Sequence, residues 1–80
     1  MKKEQIIAEL ERLARLMGIT VRYEKMGRVA GGLCRIDDQL FLFINKSLNP
    51  QSKIELFVQE LKNLDWEKHF IVPEVRRLFE

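Results

Sequence analysis

The sequence predicts a single α+β domain: a three-stranded, mainly antiparallel sheet packed with two principal helices and a short C-terminal helix. Three observations predict it. Apolar residues recur at helical spacing near the N-terminus and again after Asn49-Pro50. Between those stretches, residues 19–45 alternate in polarity and are punctuated by Gly and Asp-Asp. Successive short strands joined by tight turns favour an antiparallel sheet with helices laid against it.

The first helix is predicted from Lys3 to Met17. Ile6, Ile7, Leu10, Leu13, Ala14 and Met17 make one apolar stripe, while Glu4, Glu9, Glu11, Arg12 and Arg15 occupy the other faces. Glu11 and Arg15 have the i,i+4 spacing of a helical ion pair. Gly18 stands where a left-handed C-cap is wanted, because it has no Cβ to clash.

Ile19, Val21 and Tyr23 alternate with Thr20, Arg22 and Glu24, the period-2 pattern of a half-buried strand. Gly27 and Gly31-Gly32 mark a connection, and Leu33 to Ile36 reads as a second strand. Asp37-Asp38 suits a hairpin turn, since Asp accepts unusual backbone angles. Gln39 to Asn45 is the strongest strand signal. Within it Leu40, Leu42 and Ile44 point one way and Phe41 and Phe43 the other, so both faces are apolar. One face of a two-layer sheet is normally polar. The second face therefore calls for a cover, either the apolar tail around Trp66, Phe70, Ile71 and Val72 or a second subunit.

Asn49-Pro50 is a helix start: Asn caps free N–H groups and Pro is pre-set for the first helical position. Ile54, Phe57, Val58, Leu61 and Leu64 continue the stripe, so this helix is predicted from Pro50 to Leu64. Asp65 is placed to cap one further turn, and Pro73 opens a last one carrying Val75, Leu78 and Phe79.

Eighty residues suffice for one domain, residues 1–80, and exclude a two-domain enzyme with an interdomain cleft. A core this size supplies roughly 3–5 kcal/mol, which makes dimerisation a natural supplement. Cys34 is the one cysteine, so an internal disulfide framework is excluded. It is expected to turn into the core as a small hydrophobe. The longest apolar run, Leu40 to Ile44, falls far short of the roughly 20 residues of a membrane helix. No apolar signal segment follows Met1, so a cytoplasmic protein with no membrane partner is expected.

The chemistry-bearing motifs are incomplete. Gly27 and Gly32 have P-loop spacing, but Leu33 and Cys34 follow where Lys and Ser or Thr are required. His69 and Cys34 are too few for zinc, which takes three or four good ligands. Asp37 and Asp38 lack the further oxygen ligands of a calcium loop. No catalytic set, metal site or cofactor is predicted. Charge is more informative. The net +2 conceals an excess of four positive charges over residues 1–35 and of two negative charges over 36–80. Arg22, Lys25, Arg28 and Arg35 face only Glu24 in that region, which makes them candidate nucleic-acid contacts.

Residues Leu40 to Asn63 resemble the core of ImmA/IrrE-type zinc metallopeptidases. The strand end Phe43-Ile44-Asn45 leads to the helix start Asn49-Pro50, and Gln59-Glu60-Leu61-Lys62-Asn63 stands at the place of H-E-x-x-H. The resemblance implies a degenerate, metal-free relative. Gln59 and Asn63 replace the zinc histidines, and only Glu60 matches the motif's general base. The Gly31 to Arg35 segment and the Phe-Ile-Asn strand end also resemble those of small bacterial proteins, a likeness that implies no activity.

The leading functional expectation is a non-enzymatic binding or self-association module. Its candidate interface residues are Phe41, Phe43, Trp66 and Phe70, and its expected partner is a second copy or another protein. A nucleic-acid adaptor is the second expectation, and a degenerate hydrolase around Glu60, joined by Cys34 or His69, the third.

Overall fold

The computed structural model describes residues 1–80. In chain order the elements are α1 (Lys3–Leu16), β1 (Ile19–Glu24), β2 (Gly31–Ile36), β3 (Gln39–Asn45), α2 (Pro50–Leu61) and α3 (Pro73–Arg76). Single 3-10 turns lie at Trp66–Lys68, before α3, and at Arg77–Phe79, after it. The α+β class, the three strands and the two principal helices with a short C-terminal one are all present. No helix is long and apolar enough to cross a membrane.

Local chemistry sets the boundaries. Gly18 ends α1 at φ +78°, a conformation that costs a residue with a Cβ. Asn49 Oδ1 accepts the Ser52 N–H at 2.8 Å and Pro50 opens α2. Asp37 and Asp38 sit at φ +49° and +66° between Ile36 and Gln39, which are register partners. Positive φ at both central residues belongs to the tight hairpin turn whose twist matches that of its strands. α2 stops at Leu61, one turn earlier than its apolar spacing predicts. The chain folds off the helix axis there, so that Leu64 packs against the core and Trp66 enters it.

The sheet is mixed, with the order β1-β3-β2. β2 and β3 form the hairpin and pair antiparallel, whereas β1 pairs parallel to β3. Residues 25–30 carry the chain across the end of β3, which puts β2 on its far side. β2 is then the return path that parallel neighbours need.

Asn45 ties that crossing down. It is the one buried polar residue, and its Nδ2 donates to the Gly27 and Val29 carbonyls at 3.0 and 2.9 Å. Its Oδ1 accepts the Ser47 N–H at 3.0 Å, and its own N–H donates to the Ala30 carbonyl at 2.8 Å. A buried amide is tolerated because each of its polar atoms is partnered.

One core lies between the sheet and the helices. α1 gives Leu10, Leu13 and Ala14, β1 gives Ile19, and β3 gives Leu42 and Ile44. α2 gives Ile54, Leu56, Phe57 and Leu61, and the C-terminal segment adds Trp66, Ile71 and Val75. The molecule measures 33 × 29 × 17 Å. Its shortest dimension has room for one sheet and one helical layer, since packed layers lie about 10 Å apart.

Candidate functional site

The site begins with the alternation of β3. Leu42 and Ile44 point into the core, so Phe41 and Phe43 point out of the opposite face of the sheet. Their rings stack with centroids 5.8 Å apart. Neither belongs to the core or packs against it. Around them, Thr20 and Arg22 stand in register on β1, and Cys34 and Gly32 on β2. Ile36 extends the face and is 44% exposed. Arg22 bonds to Glu24 at 2.8 Å along one margin. The result is a small apolar patch centred on two stacked rings, with a polar border on the β1 side.

The C-terminal segment does not cover this patch. Trp66, Ile71 and Val75 are core residues, and Val72 and Phe79 pack against the core. They therefore belong to the helical layer, on the other side of the sheet. Trp66, expected at an interface, is only 7% exposed. It lies between Phe79, 4.7 Å away, and the Arg76 guanidinium, 5.0 Å from its ring. Burial of its large ring among apolar residues outweighs any role at the surface. Phe70 is 74% exposed, but Arg12 of α1 donates to its carbonyl at 3.0 Å and holds it in the helical layer. Of the four interface candidates, only Phe41 and Phe43 share a surface.

Cys34 departs from expectation. It is exposed on the outer face beside Phe41 rather than buried. Leu33, one residue earlier, takes the core-facing direction opposite Leu42, and strand alternation then turns Cys34 outward.

The basic residues divide between the two ends of the sheet. Arg22 is paired with Glu24 on the outer face. Lys25 and Arg28 lie in the connection that crosses the end of β3 at Asn45. Arg35 is in register with Leu40, at the opposite end of the sheet. Arg35 is thus set apart along the sheet from Arg22, Lys25 and Arg28.

The residues considered for catalysis are also separated. Glu60 lies beside β2, where its Oε1 accepts the Leu33 N–H at 2.9 Å. Cys34 is on the outer face. His69 lines a hollow of about 380 Å³ with Leu16, Met17, Leu64, Asp65 and Lys68. Gln59 and Asn63 are exposed. No three His, Cys, Asp or Glu side chains gather where they could hold a metal ion. The glycines serve the backbone: Gly31 has φ +137°, and a Cβ there would lie 2.0 Å from the Phe43 carbonyl oxygen.

A groove of about 610 Å³ runs between α1 and β1, lined by Glu11, Arg15, Gly18, Ile19, Thr20, Val21 and Tyr23. Glu11 and Arg15 do not form their expected ion pair. Glu11 Oε2 instead accepts the Tyr23 hydroxyl proton, leaving Arg15 without a carboxylate partner. Burial, then the hydrogen bond and charge of Glu11, push the Tyr23 hydroxyl above its ordinary pKa. Only the pairing of α1 with β1 puts these residues in one groove, so no local motif signals it.

Comparison with protein-family models, curated proteins and solved structures finds no match to the chain.

Proposed function

We propose that this protein is a non-enzymatic binding module that associates through its outer sheet face, with a second copy as its first partner. The observation that carries this reading is the Phe41–Phe43 stack, half-buried on the outer face of the sheet and outside the core. Apolar faces of two sheets pack about 10 Å apart with interdigitating side chains. A patch that meets its own copy about a twofold axis needs no second kind of surface. The dispersal of Cys34, Glu60 and His69 supports binding rather than catalysis, because acid–base or nucleophilic chemistry requires its groups within hydrogen-bond reach.

Sedimentation at high micromolar concentration tests the proposal. The wild-type chain is expected to associate, and Phe41→Ser/Phe43→Ser is expected to lose that contact while keeping its fold, since neither ring is part of the core. A strict monomer, or a double variant that associates like the wild type, overturns it.

A further inference from the structure

The two edges of the sheet are not equivalent. Within a strand, the N–H and C=O of one residue point to the same side, and successive residues alternate. The Lys46 N–H donates to the Glu24 carbonyl at 2.9 Å, so Glu24, Arg22 and Thr20 direct their backbone groups toward β3. Those of Ile19, Val21 and Tyr23 therefore point away from the sheet. β1 pairs with β3 alone, and no turn, loop or side-chain hydrogen bond takes up these groups. On the other edge, the outward N–H of Leu33 is occupied by Glu60. Unpaired edges invite another strand, and proteins commonly block them with charges or coverings. Here the central donor of β2 is taken, whereas no outward group of β1 is.

The open edge runs along the groove between α1 and β1. We propose that it accepts β1 of a second copy, antiparallel and centred on Val21, joining two sheets into one of six strands. Charge selects this occupant and its register. Glu11 is bonded to Tyr23 at one end of the groove, with its Oε1 making no bond within the chain. Arg15 lies one helical turn nearer Gly18, at the other end, and has no carboxylate partner. A twofold axis at Val21 sets Ile19 opposite the second copy's Tyr23. Arg15 of each copy then comes alongside Glu11 of the other, twice. Val21 faces itself and exchanges both backbone hydrogen bonds. A register centred on Arg22 would oppose like charges directly, which is unfavourable.

This contact uses a different surface from the outer face. If both operate, two isologous contacts on one chain build a tetramer or a longer assembly.

The test uses the full chain carrying Phe41→Ser/Phe43→Ser, so that the outer-face contact is absent. Sedimentation of that chain is expected to show a dimer. Adding Val21→Pro is expected to weaken it at least about tenfold, because proline removes an outward donor while being tolerated on an edge. Circular dichroism checks that this variant keeps its fold. Independently, R15E and E11R are each expected to fail to dimerise alone and to form a heterodimer when mixed. Amide exchange adds a direct readout: Val21 and Tyr23 become protected as concentration rises, whereas Thr20, Arg22 and Glu24 are protected throughout. A monomeric background chain, a folded Val21→Pro variant that dimerises unchanged, or no heterodimer from the mixture overturns the proposal. Loss of association on Phe41→Ser/Phe43→Ser alone supports the outer-face reading and removes the edge contact.

Discussion

Glu60 accepts the backbone N–H of Leu33 at 2.9 Å. A carboxylate on α2 thus occupies the central outward donor of an edge strand. Glu60→Ala is expected to cost about 1 kcal/mol in urea unfolding, the scale of one charge-assisted bond discounted for partial exposure. Glu60→Gln keeps an acceptor and is expected to recover most of that loss. Light scattering should also rise for the alanine variant, whose β2 edge is uncovered.

Asn45 holds the connection that lets β2 pass β3. Asn45→Ala leaves the Gly27 and Val29 carbonyls and the Ser47 N–H without their partner. The expected cost is on the order of 3 kcal/mol, comparable with the roughly 3–5 kcal/mol available to a core of this size. The variant should therefore be substantially unfolded at room temperature by circular dichroism. Asn45→Asp should be no better, because a carboxylate would face two carbonyl oxygens with no proton to donate.

Two glycines with positive φ should respond differently to alanine. A Cβ on Gly31 would lie 2.0 Å from the Phe43 carbonyl oxygen, whereas one on Gly27 meets nothing within 4 Å. Gly27→Ala carries only the left-handed backbone penalty, about 1 kcal/mol. Gly31→Ala must in addition push β2 away from β3, on the order of 3 kcal/mol. Thermal unfolding should place the two melting temperatures in that order, with Gly31→Ala much the lower.

Tyr23 is the single tyrosine, so its ionisation can be read by ultraviolet absorbance. Burial and the Glu11 carboxylate raise its pKa in the folded state. Its contribution to stability is complete below the unfolded value of about 10 and declines as pH rises from there toward the folded value. The unfolded chain releases the proton first, so alkali favours unfolding. Tyrosinate absorbance is expected to appear together with loss of the helical signal. Tyr23→Phe should flatten this part of the pH dependence. An early, fully reversible tyrosinate signal in a folded protein would contradict the burial argument.

Much of the architecture is written locally. Gly18, Asp37-Asp38 and Asn49-Pro50 act on residues within one turn of themselves, and each sits at the boundary its chemistry predicts. The alternation of Gln39 to Asn45 likewise fixes that Phe41 and Phe43 share a face, because strand geometry leaves them no other arrangement.

What covers that face, and what lies beside it, depends on contacts distant in the chain. The apolar tail could be recognised from its composition, but only packing decides that Trp66 and Val75 join the helical layer. The expectation of a buried Cys34 fails for a physical reason: Gly31 and Gly32 carry no side chains, and Leu33, Cys34 and Ile36 are apolar on both parities. The direction of β2 is set by the pairing of Leu33 with Leu42 over the core, and this turns Cys34 outward. The parallel match of β1 to β3 was equally hidden, since it depends on a loop crossing held by Asn45. The sequence by itself determined the elements, their boundaries at Gly18, Asp37-Asp38 and Asn49-Pro50, and the two-faced central strand, because those follow from neighbouring residues. Tertiary structure alone decided the strand order, the free edge of β1 and the release of Arg15 from Glu11, because each requires residues far apart in the chain to compete for the same partner or the same space.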